Sequence, residues 1–231
     1  MSGLRYALWG VLPYAVLVLF AAGTVWRFRH DRFGVTTRSS QLHESRLLSV
    51  GGPLFHYGLL FVIAGHVIGL VVPERVTEDL RVPESLYRAN ALLVGGVAGA
   101  ATVAGLAVLV ARRLRVRAVR RASDRTDRAL YPILATVLLA GLAATLLAPA
   151  GDYDYRLGVS VWFRSVFLLH PNVGAISGAP LLYQAHALLG LALFALWPFS
   201  RLVHAFAAPV AYPFRAYVVY RSRNVRRRPF A

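Results

Sequence analysis

The sequence contains 231 residues, of which 57% are hydrophobic, and its mean hydropathy is +0.54. This composition is too apolar for an ordinary soluble domain, and the length allows several membrane spans. The absence of cysteine excludes disulfides, thiolate-bound iron–sulfur clusters, c-type haem attachment and cysteine-based zinc sites within these residues. All 26 basic residues are arginines. Because they lie in short segments between apolar stretches, the net charge of +16 indicates membrane topology rather than nucleic-acid binding.

Five apolar stretches are long enough to cross a bilayer, since a helix needs about 20 residues to span the hydrocarbon. We predict an all-α membrane protein, a bundle of five transmembrane helices that cover residues 5–26, 50–73, 88–111, 129–149 and 181–204. A cytoplasmic tail over 205–231 follows. Before the fifth span, Pro171, Gly174, Gly178 and Pro180 interrupt the apolar run, so we expect a loop or surface segment there.

The arginines are distributed asymmetrically between the connecting segments. Residues 26–50 hold five arginines and residues 111–129 hold eight, each against two acidic residues, and six arginines without an acid follow His204. In contrast, residues 73–90 hold three arginines against four acids, and residues 150–180 hold two of each. The positive-inside rule therefore predicts that the N-terminus lies outside and the C-terminus in the cytoplasm.

A second interpretation treats the first span as a cleaved signal peptide. Ala21-Ala22-Gly23 resembles a cleavage site. This interpretation would send the following arginine-rich segment outward, against the same charge rule.

Four of the seven histidines lie inside predicted spans: His56 and His66 in the second, His186 and His204 in the fifth. Any one could be a hydrogen-bonded interior histidine, but ionisable groups inside a membrane are by default functional. His56 and His66 are about 15 Å apart along a helix, and His186 and His204 are separated by five whole turns. Since the two spans run in opposite directions, we predict that His56 is level with His204 and His66 with His186.

Two opposed imidazoles at one level are the ligands that a six-coordinate b-type haem needs. Small residues should flank such ligands, and Gly52, Gly69 and Gly190 each lie about one turn from one of them. Arg201 lies one turn before His204 and could pair with a haem propionate. Its alternative role is that of an arginine that snorkels to the membrane interface.

Other histidine chemistries predict different patterns. A copper or zinc site would require ligands clustered at one depth, whereas these four lie at two depths. A transporter or proton channel that uses intramembrane histidines is the rival from another functional class. Of the remaining histidines, His30 and His43 lie in the first arginine-rich segment, where we expect them to be solvated, and His170 lies between the last two spans.

Four segments carry a resemblance to a known family. They are SSQ at Ser39–Gln41, LFHYGLLFVIAGHVIGL at Leu54–Leu70, SVFLLH at Ser165–His170 and PFSRLVHAFAAPVAYPFR at Pro198–Arg215. Through these segments, and over nearly all 231 residues, the sequence resembles the gamma subunit of membrane-bound respiratory nitrate reductase, a dihaem cytochrome b of the bacterial cytoplasmic membrane. Membrane cytochromes of sulfite-reductase-associated and heterodisulfide-reductase-like complexes also resemble this family, and they stay open as an alternative.

The resemblance implies two haem b groups. His66 and His186 would bind the distal haem on the outer side, and His56 and His204 the proximal haem near the cytoplasm. It also implies that menaquinol or ubiquinol is oxidised near the distal haem and releases its protons outside. Electrons would pass inward to an iron–sulfur beta subunit and a molybdenum-containing alpha subunit, which reduces nitrate.

The quinol pocket departs from the family pattern. Family members can carry a lysine after the second span, and this chain contains none. Tyr87 falls at about that position, so we expect it to hydrogen-bond a quinol oxygen, with Gly65 and the following Arg88 as further candidates. Arg88 is more consistent with an interfacial anchor. The predicted docking surface for the partner subunits comprises the loop around Ser39–Gln41, the loop Arg112–Arg128 and the tail from Pro209.

Overall fold

The structure, a computed structural model, describes residues 2–31, 35, 40–41, 43–147 and 153–207. Within these residues it is all-helical, without strands, and five helices are long and apolar enough to cross a membrane. These are span one (Gly3–His30), span two (Arg46–Val71), span three (Glu84–Arg115), span four (Thr126–Leu147) and span five (Leu181–Phe199). The prediction of five spans in an all-α protein is therefore confirmed.

Shorter helices and irregular turns complete the described chain. The connecting helices are Glu74–Asp79, Arg117–Arg121, Val159–Phe167 and Val173–Ser177. Span one contains a π-helical turn at Ala7–Val11, and span two ends in another at Val67–Val71, directly after His66. Such π turns frequently accompany functional sites. The ends of the bundle are called below the His66 end and the His56 end.

Spans two and three make the most extensive contact among the described helices. Span three packs against span two on one side and span four on the other, span four packs against span five, and span five packs against span one. Glycines allow the close approach: a Cβ atom added at Gly105 would lie 2.4 Å from the backbone nitrogen of Phe55, and one at Gly58 would lie 2.9 Å from that of Thr102. Helix backbones can approach so closely only where the side chain is a hydrogen atom.

The segment before span five differs from the expected loop. Residues 159–167 and 173–177 are helical, and they bury Trp162, Val166 and Ile176 against Trp9 of span one. The Trp162 indole donates to the backbone oxygen of Trp9 at 2.8 Å, and the two rings meet edge to face at 5.5 Å. Leu168 caps the first of these helices and Gly178 caps the second, and the apolar residues of both pack in a core at the His66 end.

Span five is not one continuous α-helix to His204. Its α-helical part, Leu181–Leu196, is followed by a 3₁₀ turn at Trp197–Phe199, an extended Ser200, and a second 3₁₀ segment at Arg201–Ala207. Pro198 explains the break, because proline lacks the N–H that would continue the helical ladder. The expectation of five whole helical turns between the two histidines of this region is therefore wrong.

Candidate functional site

The structure brings the four histidines of the spans together in two pairs. The ring centroids of His56 and His204 are 6.2 Å apart, and those of His66 and His186 are 5.9 Å apart. These are the pairs expected from antiparallel packing, although His204 reaches its position from the 3₁₀ segment rather than from a regular helix. The two pairs lie about 15 Å apart along span two, at 1.5 Å rise per residue.

Every one of these imidazoles is oriented by a backbone carbonyl. The Nδ1 atoms lie near the oxygens of Gly52 for His56 (2.7 Å), Val62 for His66 (2.8 Å), Val137 for His186 (3.1 Å) and Arg201 for His204 (2.6 Å). A carbonyl oxygen only accepts, so Nδ1 carries the hydrogen and donates it. The Nε2 lone pair of each ring is therefore left for another partner, which is the arrangement of metal-ligating histidines.

The spacing of the rings fits a metal between them. Two metal–nitrogen bonds of about 2.0–2.1 Å each, with each centroid roughly 1.2 Å behind its nitrogen, separate two ring centroids by about 6.4–6.6 Å. The observed separations of 6.2 and 5.9 Å are shorter than this range by roughly 0.2 and 0.5 Å, so a small outward movement of the rings would admit a metal. Within the described ranges, no three His, Asp or Glu side chains converge on one point, so the candidate ligands come in twos. Two axial imidazoles are the donor set of a b-type haem.

The glycines near the histidines have different surroundings. A Cβ atom at Gly190 would meet nothing within 4 Å, and one at Gly52 would make only an ordinary contact at 3.8 Å, so both leave space beside their histidines. Gly69 instead makes room for Tyr155, whose hydroxyl would lie 2.9 Å from an added Cβ. Sequence reasoning missed Gly141 of span four: an added Cβ would lie 2.8 Å from Cε1 of His186. Only the tertiary structure identifies this contact.

An ion-pair cluster lies beside His204. Asp127 is 3% exposed and accepts hydrogen bonds from Arg113 at 2.8 Å and from Nε and an NH2 group of Arg201 at 2.7 and 3.1 Å. The guanidinium of Arg201 thus already has a carboxylate partner, and its assignment to a haem propionate stays a prediction. Asp127 escaped the sequence analysis, although an acid at the start of an arginine-flanked span was a usable signal.

The candidate quinol residues lie at the His66 end but are not equivalent. The Tyr87 hydroxyl lies 2.8 Å from that of Tyr155, and the guanidinium of Arg156 stacks on the Tyr87 ring at 4.0 Å. Arg88 donates to Glu84 at 2.8 Å and stays mostly exposed, as an interfacial anchor would. Burial raises the pKa of Tyr155 above its usual range, and the hydrogen bond with Tyr87 raises it further, so the phenol stays neutral.

An apolar groove of about 810 Å³ runs along spans two and three. Its walls are formed by residues between Val50 and Phe61 on span two and between Leu93 and Ala101 on span three. Gly65 lies one turn beyond Phe61 and shares its helix face, because residues four apart are neighbours on a helix. Nothing lies within 4 Å of a Cβ atom added at Gly65.

The described part of the predicted docking surface is anchored to span three. Arg112, 3% exposed, pairs with the Glu44 carboxylate and donates to the hydroxyl and the carbonyl of Ser40 at 2.9 Å each. The Leu47 amide, together with Arg112, holds the pKa of Glu44 below its usual range. Ser39 and the tail from Pro209 lie outside the described residues. The other three histidines, His30, His43 and His170, are exposed.

The fold and the site define a class: a helical membrane protein with five spans, in which three histidines of the spans and His204, just after span five, form two pairs at different levels of the bundle. A family model described as nitrate reductase gamma subunit matches residues 5–223. The chain belongs to the nitrate reductase gamma subunit family.

Named relatives agree with this membership. The sequence is 42% identical to the nitrate reductase gamma chain of Bacillus subtilis over 97% of this chain and 100% of the relative. It is 29% identical to the respiratory nitrate reductase 2 gamma chain of Escherichia coli over 93% of this chain and 95% of the relative. It is 50% identical to the nitrate reductase-like protein NarX of Mycobacterium tuberculosis over 94% of this chain, but spans only 34% of that protein's length.

Proposed function

We propose that this chain is the membrane cytochrome b subunit of a respiratory nitrate reductase. It oxidises a quinol at the His66 end and delivers the electrons to soluble partner subunits at the His56 end. The observation that carries the proposal is that the four imidazoles form two pairs. The ring centroids are 6.2 Å apart in one pair and 5.9 Å apart in the other, and every Nδ1 donates to a backbone carbonyl. Membership of the gamma subunit family supplies the reaction class.

Four histidines would hold two haem b groups. His56 and His204 would bind one, called the inner haem, and His66 and His186 the other, called the outer haem. When bound, haem b supplies one-electron redox chemistry at its iron. Each histidine pair would present two Nε2 lone pairs to one iron, so that both protein ligands of that haem would be imidazoles. Arg201 would reach a propionate of the inner haem with the donor atoms that Asp127 leaves unused.

The charges along the chain support one orientation in the membrane. The arginine-rich segments 26–50 and 111–129 both adjoin the His56 end, which would therefore face the cytoplasm. The N-terminus and the His66 end would face outside. Quinol oxidation at the His66 end would then release its protons on the outer side, and electrons would travel inward.

A quinol head group would bind among Gly65, Tyr87 and Arg88. In the hydrogen bond between Tyr87 and Tyr155, one hydroxyl donates and the other accepts, so the pair keeps one further O–H and open lone pairs for a quinol oxygen. The groove beneath Gly65 is lined by apolar side chains and suits the hydrocarbon tail of menaquinol or ubiquinol. Arg88 would act as an anchor at the membrane surface.

The partners would be an iron–sulfur beta subunit and a molybdenum-containing alpha subunit, which carries out the nitrate chemistry. They would dock on the loop around Ser39–Gln41, on Arg112–Arg128 and on the tail from Pro209. Many of these arginines would also attract anionic lipid. The anchoring of Ser40 by Arg112 gives this surface a defined shape.

Haem analysis of the purified chain tests the proposal. A pyridine haemochrome assay should give two haems per chain, and single His→Ala changes at the four paired positions should each leave one. His56→Ala and His204→Ala should remove the same haem, and His66→Ala and His186→Ala the other. His170→Ala is the matched control, since this exposed histidine lies outside the spans.

Four results would contradict the proposal. A colourless protein would favour a histidine-dependent transporter. One haem that survives all four changes would exclude these ligands, and loss of a common haem in His56→Ala and His186→Ala would exclude the pairing. If the co-purified partner subunits did not include a molybdenum nitrate-reducing chain, the protein would be assigned to a related complex instead of a nitrate reductase.

A further inference from the structure

Asp127 is a buried carboxylate that joins three parts of the chain at the His56 end. It belongs to span four, accepts from Arg113 of span three at 2.8 Å, and accepts twice from Arg201 of the 3₁₀ segment at 2.7 and 3.1 Å. Only 3% of its surface is exposed. Removing one member of such a buried pair leaves an uncompensated charge, so the arrangement is stable only while all three side chains stay in place.

A further hydrogen bond connects the Arg201 of this cluster to His204. The backbone oxygen of Arg201 accepts the Nδ1 hydrogen of His204 at 2.6 Å. This segment follows the extended Ser200, so the hydrogen-bond ladder of span five does not continue into it. A 3₁₀ segment also has poorer hydrogen-bond geometry than an α-helix. The position of the 3₁₀ segment therefore depends on contacts made by its side chains. The bidentate ion pair between Arg201 and Asp127 is a strong contact of this kind.

We propose that Asp127 is a positioning residue for His204. By holding Arg201, it fixes the segment that carries this histidine and the direction of the Nε2 lone pair. The inference rests on the proposed role of His204 as a ligand of the inner haem. Asp127 also balances one of the two arginine charges in the cluster, so its neutralisation leaves an additional positive charge near that haem and favours reduced iron.

The test compares Asp127→Asn with Glu44→Gln in the purified chain. Glu44 is a suitable control because it pairs with Arg112, the neighbour of Arg113, and the structure gives it no bond to the segment 201–207. The readouts are haem content, the low-spin ferric electron paramagnetic resonance signals, and potentiometric titration of each haem. His56→Ala identifies which signal belongs to the inner haem.

The expected result is a change confined to the inner haem. Asp127→Asn should alter the g values of its signal and shift its one-electron equilibrium about tenfold toward the reduced form, which is about 59 mV. The outer haem should keep its signal and its occupancy. Asp127→Glu, which keeps the charge, should restore most of the inner signal, and Glu44→Gln should leave the g values of both haems unchanged.

Different failures have different meanings. If His56→Ala removes one signal but Asp127→Asn leaves that signal and its potential at wild-type values, the inference fails and the proposed function stands. If His56→Ala removes no haem, the proposed function fails and the inference fails with it. Loss of both haems in Asp127→Asn, or the same spectral change in Glu44→Gln, would assign Asp127 to the general stability of the bundle and overturn its positioning role.

Discussion

Replacing Gly105 by alanine should displace His56. An added Cβ would lie 2.4 Å from the backbone nitrogen and 2.7 Å from the Cα of Phe55, the residue directly before His56. Ordinary contact begins at 3.4 Å, so the backbones of spans two and three would have to separate by about 1 Å here. Neither atom belongs to a flexible side chain that could move aside.

This displacement is large compared with the tolerance of a metal site. Ligand distances in metal sites stay within about 0.2 Å of their standard values, so a movement of about 1 Å should weaken the inner haem. Overpacking of this kind also costs about 1–3 kcal/mol of stability. His66 lies roughly 15 Å farther along the helix, and the outer haem should be retained.

Two assays on purified protein measure these effects. Pyridine haemochrome analysis of Gly105→Ala should give a ratio closer to one haem than to two, with the outer haem's signal intact. Titration with SDS, followed by the Soret band, should reach its midpoint at a lower detergent fraction than in the wild type. Gly96→Ala on the same span is the control, because its added Cβ would make only an ordinary contact at 3.6 Å. Two haems and an unchanged midpoint in Gly105→Ala would refute the reasoning, as would loss of the outer haem first.

Three further predictions concern other parts of the chain. Gly141→Ala should tilt the ring of His186 and change the electron paramagnetic resonance signal of the outer haem only, whereas unchanged g values would show that the ring can move aside freely. Because the hydrogen bond from the Leu47 amide keeps the pKa of Glu44 low, the anchoring of the segment before span two should persist above the ordinary carboxyl pKa and weaken as the pH falls through the folded-state value. Limited proteolysis should therefore cut this segment faster at a pH below the folded-state pKa of Glu44 than at neutral pH. If the carboxylate is responsible, the Glu44→Gln variant should be cut equally fast at the acidic and the neutral pH. Truncation after Ala208 should leave both haems in place and release the partner subunits from the membrane; normal quinol-to-nitrate turnover by the truncated protein would restrict the tail to topology and lipid binding.

The spans could be predicted because a charge-free apolar run of sufficient length has few alternatives to a membrane helix. The levels of the histidines followed from the direction of the chain and the rise per residue. His204 reached its expected partner for a different reason, since Pro198 breaks the helix and the 3₁₀ segment restores the required depth. Pro198 was a visible signal for such a break, but Pro53 and Pro132 lie inside continuous helices, so a proline alone does not decide between these two routes.

The contacts around the histidines could not be read from the sequence. Gly95 and Gly99 have the four-residue spacing that is typical of close helix packing, but an added Cβ there would meet only side chains, whereas one at Gly105 would meet the backbone of Phe55. Gly141 and Asp127 act through residues about 45 and 74 positions away, and such pairs depend on how the spans rotate about their axes. Periodicity gives the face of a helix and does not give the partner of that face.

The four imidazoles differ in when their orientation becomes fixed. His56 and His66 donate to carbonyls four residues earlier in their own helix, so span two orients both rings as soon as it is helical. His186 donates to Val137 of another span, and its ring is fixed only after spans four and five have packed. We therefore expect that, during biogenesis, one ligand of each pair is oriented before the bundle assembles, whereas His186 is oriented only after spans four and five have packed.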